Sequence, residues 1–250
     1  MMIKTRKNKL NKDYWIYGKH TVLAALANFR RKIYELLITQ ETYNEIKSTI
    51  PCKIAAKIVE RYEIDKILGG NQVHQGVILK TNPLEQPNLK DFLNLSKNEI
   101  STIVIIDKIN DPQNLGAILR SSAAFDADAV IITKENSVRE TAVSAKASCG
   151  AIENIPLISV TNISDAIKLL KKHEFWIIGM DATGDKGFAK VNSFKKTGII
   201  FGSEGEGLRK LTKENCDFLI SIPISNKVES LNLSNAVAIS LFELNKKELY

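Results

Sequence analysis

Cysteine, histidine and tryptophan are scarce in this chain of 250 residues, which holds three Cys, three His and two Trp. Cys52, Cys149 and Cys216 lie far apart and never as CxxC, which excludes a disulfide framework and a zinc-finger spacing and points to a reducing compartment. His20, His74 and His173 form no HxxxH or HExxH pattern, so no metal is expected. No stretch approaches about 20 uninterrupted apolar residues, the length a membrane-spanning helix needs. Lys4 to Lys12 lead into Asp13, Tyr14 and Trp15 without the apolar run of a signal peptide. The expectation is a soluble, cytoplasmic protein, with no membrane and no metal.

Charge is unevenly placed. Residues 1–85 carry 15 Lys or Arg against 8 Asp or Glu, while residues 86–250 carry 20 of each, so the whole formal charge of +7 is N-terminal. An excess confined to one segment suits contact with phosphate, because counterion release makes Lys and Arg the main source of nucleic-acid affinity. A solvated basic face, serving solubility, is the other reading of the same charges.

A chain of this length can bury one large core or two smaller ones. Residues 1–12 are polar, basic and aperiodic and read as a disordered arm. Residues 13–82 read as a small α/β unit: helical spacing at Val22, Leu23, Leu26 and Phe29, a strand at Ile33 to Thr39, helical patterns at Tyr43 to Thr49 and Ala55 to Lys66, and a strand at Gly76 to Lys80. Pro83 and Pro87 interrupt an aperiodic stretch where the charge also changes, so 83–100 reads as a linker. Within 101–250, apolar runs at 102–106, 129–133, 155–160, 176–180, 198–201 and 218–222 alternate with helical stretches. That pattern predicts an α/β domain with a mainly parallel sheet buried on both faces.

Ligands of open α/β sheets bind beyond the carboxyl ends of the strands, and three such loops are rich in polar residues or glycine. After Ile106 come Asp107 to Gly116, then a helix carrying Arg120; Asn114 can cap that helix, and taken alone the pair reads as a cap and a surface residue. After Phe201 come Gly202, Ser203, Glu204, Gly205, Glu206 and Gly207, a plain turn or a loop whose backbone approaches a ligand. After Ile222 come Ser230, Leu231, Asn232 and Ser234 ahead of a helix reaching about Leu244. One polar residue there would suffice as a cap; three exceed the need.

The three segments, NDPQNLGAILRSS at 110–122, IIFGSEGEGL at 199–208 and ISIPISNKVESLNLSNAVAISLFE at 220–243, closely resemble the ordered motifs of the SpoU (TrmH) family of RNA 2'-O-ribose methyltransferases in the SPOUT superfamily. Within it, the type acting on a guanosine of 23S rRNA is the most similar. Tyr17, Gly18 and the triplet His74, Gln75 and Gly76 resemble the family's ribosomal-protein-like RNA-binding domain, and the likeness runs from about residue 14 to 245. The resemblance implies a C-terminal trefoil-knot domain, S-adenosylmethionine as cofactor, a homodimer that uses the last helix, and RNA, rRNA foremost, as partner. It implies catalytic roles for Asn114, Arg120, Glu204, Ser230 and Asn232, and cofactor contacts at Gly202, Ile222 and Leu231.

A guanidinium with a pKa above about 12 is a poor base at neutral pH. Arg120 is therefore expected to clamp the phosphate beside the target ribose and stabilise the developing alkoxide, with Glu204 orienting it and Ser230 and Asn232 positioning the ribose or the loop. Lys4, Arg6, Lys7, Arg30, Arg31 and Lys32 are the candidates for RNA backbone contacts. Two other readings stay open: a tRNA guanosine as substrate, and a catalytically silent RNA-binding assembly factor with the same fold.

Overall fold

The computed structural model describes residues 13–70, 72–135, 137–191, 193–203 and 205–245. The expected basic arm, with Lys4, Arg6 and Lys7, lies outside the described residues. The chain divides into two compact units, one running to Leu84 and taking in Glu140–Ala142, the other comprising Glu85–Arg139 and the chain from Val143 onward.

The first unit contains β1 (Tyr14–Tyr17), α1 (Lys19–Ala27), β2 (Ile33–Ile38), α2 (Gln40–Ile46), β3 (Ala56–Ile58), α3 (Arg61–Leu68) and β4 (Val77–Thr81). The sheet order is β1-β4-β2-β3, with β4 antiparallel to both β1 and β2 and β3 parallel to β2. Tyr17, Leu37, Val59, Ile64 and Ile78 form its buried cluster. The single helix expected over Ala55 to Lys66 is instead β3 followed by α3. A capping box between Glu60 and Glu63 fixes the start of α3 at Arg61, and Ala56–Ile58 pair with Leu36–Ile38, so tertiary pairing overrides the helical pattern.

The triplet His74, Gln75 and Gly76 is a folding device. His74 is fully buried. Its Nδ1 accepts from the Gly76 backbone N–H at 3.1 Å, which leaves Nε2 to donate to Asp65 at 3.0 Å. Gly76 has φ 73°, and a Cβ there would lie 2.3 Å from the Thr42 hydroxyl.

Arg31 is buried rather than displayed to solvent. Its guanidinium meets the Glu140 carboxylate at 2.6 Å and donates to the Asn82 carbonyl at 2.7 Å. Glu140 also accepts from the Tyr14 hydroxyl and from the Leu84 backbone N–H at 2.9 Å. Burial, and then the facing Glu140 charge, push the Tyr14 phenol well above its ordinary pKa, so it stays a donor. These bonds remove Arg31 from the candidates for phosphate contact; Arg30 and Lys32 are exposed.

The second unit contains α4 (Leu89–Leu95), β5 (Ser101–Ile106), α5 (Pro112–Ala124), β6 (Ala129–Thr133), α6 (Ala142–Ala147), a 3-10 turn at Ala151–Glu153, β7 (Leu157–Val160), α7 (Ile163–Lys172), β8 (Trp176–Lys186), β9 (Lys196–Phe201), α8 (Lys210–Asn215), β10 (Phe218–Ser221) and α9 (Leu233–Asn245). Its six strands are ordered β10-β8-β9-β5-β6-β7, every neighbouring pair parallel. Ile103, Val104, Ile105 and Ile106 are all fully buried, as expected of a strand covered on both faces.

Two sequence expectations change here. The stretch 83–100 is not all linker: Asn88 caps α4 through the Lys90 N–H, and Leu89 and Leu93, one turn apart, join the core with Ile103, Ile131 and Ile158. Strand β8 runs to Lys186 rather than ending at Met180. β10 pairs with Ile178 and Gly179, then shifts register to Asp185 and Lys186, so residues 180–184 bulge out of the ladder.

Candidate functional site

The parallel order explains how distant loops meet. Along β10-β8-β9-β5 all four carboxyl ends lie on one edge of the sheet, so the segments after Ile106, Phe201 and Ser221 converge there with the bulge of β8. A cleft of about 750 Å³ opens at this edge, lined by Gly202, Ile222, Ser230, Leu231 and Asn232 among others. All three residues expected to contact a cofactor are in it, as are two of the expected catalytic ones. Glu204 lies outside the described residues.

Asn114 is buried but does not cap α5. Asp111 does, accepting from the Gln113 N–H at 2.9 Å, with Pro112 in the first turn where its missing N–H is harmless. Asn114 is thereby released for another duty: its Oδ1 accepts from Asn232 Nδ2 at 3.1 Å, across 118 residues of chain. Asn232 in turn caps α9, its Oδ1 accepting from the Ser234 N–H at 2.9 Å. The same side chain therefore starts a helix and ties it to α5.

Arg120 is not brought to the cleft of its own chain. It is exposed, lies six residues beyond Asn114 on α5, and donates from Nη1 to Cys149 Sγ at 3.4 Å. Close packing sets up this contact, because a Cβ at Gly116, one turn earlier, would fall 2.5 Å from the Ala147 Cβ on α6.

Sequence reasoning missed the fourth strand end. Asp181, Thr183 and Lys213 also line the cleft. Lys213 reaches Asp181 at 2.6 Å, and the Thr183 N–H and hydroxyl donate to the same carboxylate at 3.0 and 2.6 Å. Burial pulls the Asp181 carboxyl upward, but these donors outweigh it and hold the group below its ordinary value. An acid directly after the apolar run at 176–180 was the available signal.

Gly202 is where the glycine-rich loop needs its glycine. The Gly207 N–H donates to the Ser203 carbonyl at 3.0 Å, folding the loop back, and a Cβ on Gly202 would lie 2.0 Å from the Gly207 carbonyl carbon. Backbone cannot yield as a flexible side chain can. Gly202→Ala is expected to destabilise the protein by about 1–3 kcal/mol, read as a lowered melting temperature; an unchanged melt would mean that the loop is not so closed.

Two family profiles match this chain. That of the SpoU rRNA Methylase family covers residues 101–242, and that for RNA 2'-O ribose methyltransferase substrate binding covers residues 15–87. The chain belongs to the SpoU family. A 23S rRNA (guanosine-2'-O-)-methyltransferase RlmB of Haemophilus ducreyi is 36% identical over 244 residues, spanning 94% of this chain and 98% of that one. A Staphylococcus epidermidis protein assigned to the TrmH family of tRNA/rRNA methyltransferases is 37% identical over 242 residues, spanning 94% and 96%. Among solved structures, the AdoMet-bound rRNA methyltransferase of Sinorhizobium meliloti superposes with a TM-score of 0.79 at 23% identity, covering 95% of this chain and 88% of that one. The SpoU methyltransferase AviRb of Streptomyces viridochromogenes superposes at 0.76 and 19%, covering 95% and 90%. These likenesses show the SPOUT α/β fold.

The protein is thus an RNA 2'-O-methyltransferase of the SpoU family, and solved structures of its fold hold S-adenosylmethionine, the methyl donor. The cleft fits that group. Its size is within the range of about 300–1,000 Å³ typical of small-molecule sites, and it sets apolar Ile222 and Leu231 alongside polar Asp181 and Thr183.

Proposed function

We propose that this enzyme methylates the ribose 2'-hydroxyl of a specific guanosine in 23S rRNA, acting in the cytoplasm as a homodimer. One observation carries the catalytic part: the parallel strand order brings the 199–208 and 220–243 motifs together around one cleft, and the first motif is tied to it through the Asn232–Asn114 hydrogen bond. The choice of 23S rRNA rests on relatives named for that substrate, at 35 to 36% identity over nearly the whole chain.

S-adenosylmethionine supplies an electrophilic methyl group at a sulfonium. Main-chain groups around Gly202, Ile222 and Leu231 would hold it. Asn114 and Asn232, joined by their hydrogen bond, fix the loop that carries Ser230, so that a ribose entering beside it meets a set geometry; positioning of this kind supplies up to about 7–11 kcal/mol in ideal cases. Arg120 clamps the phosphate next to the target ribose and stabilises the alkoxide as its proton leaves, and Glu204 orients that guanidinium.

Because Arg120 does not line the cleft of its own chain, its place in this chemistry calls for delivery from a second copy. Ile239 and Phe242, half exposed on α9, supply an apolar surface for such pairing. Membership of the SpoU family supports a C-terminal segment threaded as a trefoil knot. Residues 13–82 would choose the RNA, with Arg30 and Lys32 on phosphate, since a 2'-hydroxyl occurs on every nucleotide and identifies none.

The test is a map of 2'-O-methyl positions in rRNA and tRNA from cells with and without the protein. Loss of one 23S guanosine methylation is expected. Loss confined to tRNA would replace the substrate, and no loss in either RNA, with no calorimetric uptake of S-adenosylmethionine, would favour the silent assembly factor.

A further inference from the structure

Asp107 closes β5, and its own N–H donates to the Phe201 carbonyl at the end of β9, at 2.9 Å. Its side chain is 2% exposed as a residue. Oδ2 lies 3.2 Å from Arg209 Nε, while Oδ1 is buried with no hydrogen-bond partner. A buried carboxylate with one bare oxygen is a poor device for stability, because the unmet oxygen keeps its desolvation penalty. The question is what the arrangement is for.

Arg209 immediately follows the glycine-rich loop and stands at the start of α8. Four residues later, Lys213 is bonded to Asp181 at 2.6 Å. Asp107 directly follows β5 and Asp181 belongs to β8, the two strands that flank β9. The segment leaving β9 is therefore fastened to both neighbouring strands, one ion pair on each side. A third pair, Lys108 to Glu206 at 3.8 Å, joins the same two loops as Asp107 and Arg209 but is exposed, where such contacts contribute little.

We propose that Asp107 and Arg209 are positioning residues that hold the 202–208 loop in the shape that receives the methyl donor. Neither side chain lines the cleft, so the pair acts through the loop and not by touching the donor. The inference rests on the reading of the cleft as the S-adenosylmethionine site.

The test uses the full chain with S-adenosylmethionine in titration calorimetry, a separate RNA-binding measurement and a thermal melt. Asp107→Asn and Arg209→Gln remove the charges and nearly keep the shapes. Each is expected to weaken donor binding about tenfold or more, the equivalent of one charge-assisted hydrogen bond, with RNA affinity unchanged. The double variant should lose no more than the worse single one, since residues acting as a unit are not additive. Lowered melting temperatures with unchanged donor affinity would reduce the pair to a structural role and overturn the proposal, as would simply additive effects. If Asp107→Asn fails to fold, Arg209→Gln, at a half-exposed position, decides alone. Failure of the unaltered protein to bind the donor would instead sink the reading of the cleft.

Discussion

Arg120→Ala is expected to lower turnover by about 10²–10³-fold, the effect of deleting one donor to a developing oxyanion, while S-adenosylmethionine binds as before. The second half follows from the geometry: Arg120 lies outside the cleft and is exposed, so its removal leaves the donor pocket intact. Arg120→Lys should recover little, because an ammonium keeps the charge but not the planar fork that grips phosphate with two bonds. The measurement is single-turnover methylation of an RNA fragment at saturating donor. Lysine turnover near that of the unaltered protein, with RNA affinity unchanged, would rule out a bidentate clamp. Mixing Arg120→Ala chains with chains altered in the cleft tests delivery between copies, since a mixed dimer that regains activity has one intact site.

Glu140→Ala is expected to destabilise the first unit by about 3–5 kcal/mol, the usual consequence of stranding one partner of a buried ion pair. Arg31 would keep its charge with the side chain 0% exposed, and Tyr14 and the Leu84 N–H would lose their acceptor. Glu140→Gln should be milder, since an amide oxygen can still accept from one of these donors. Urea unfolding followed by Trp15 fluorescence, with the second of the two tryptophans removed as Trp176→Phe, reports on this unit alone. A Glu140→Ala midpoint equal to that of the unaltered protein would mean that water reaches the guanidinium and the pair is not buried in solution.

Much of the second unit could be read from residue pattern, because strands covered on both faces are written as unbroken apolar runs. Ile103 to Ile106 and Ala129 to Thr133 are such runs, and both are strands. Elements held by few contacts were harder. β3 has three residues and owes its existence to β2, and α4 hides between two prolines and a polar stretch. Gly202, Ile222, Ser230, Leu231 and Asn232 do gather at one cleft, since parallel order forces the strand ends together.

Asn114 and Arg120 were legible as neighbours on one helix, but not as residues with different destinations, one against Asn232 and the other against Cys149. Asp107 and Asp181 escaped notice because a single acid after a strand looks like any turn residue. What marks them is the cation each one meets, and Arg209 and Lys213 lie dozens of residues away. Arg31 misled in the opposite sense: a basic triplet suggests surface, yet its partner Glu140 is supplied from far along the chain.

An all-parallel sheet has no hairpins, so each neighbouring pair of strands is joined only by a long excursion. Ile106 pairs with Phe201, and the cleft is completed by residues as late as Ala236. During synthesis the early strands must therefore wait, apolar on both faces, for partners not yet made. The cleft cannot form before residues 229–236 have been made, which protects the cell from a half-built enzyme but leaves the nascent chain dependent on protection from aggregation until then.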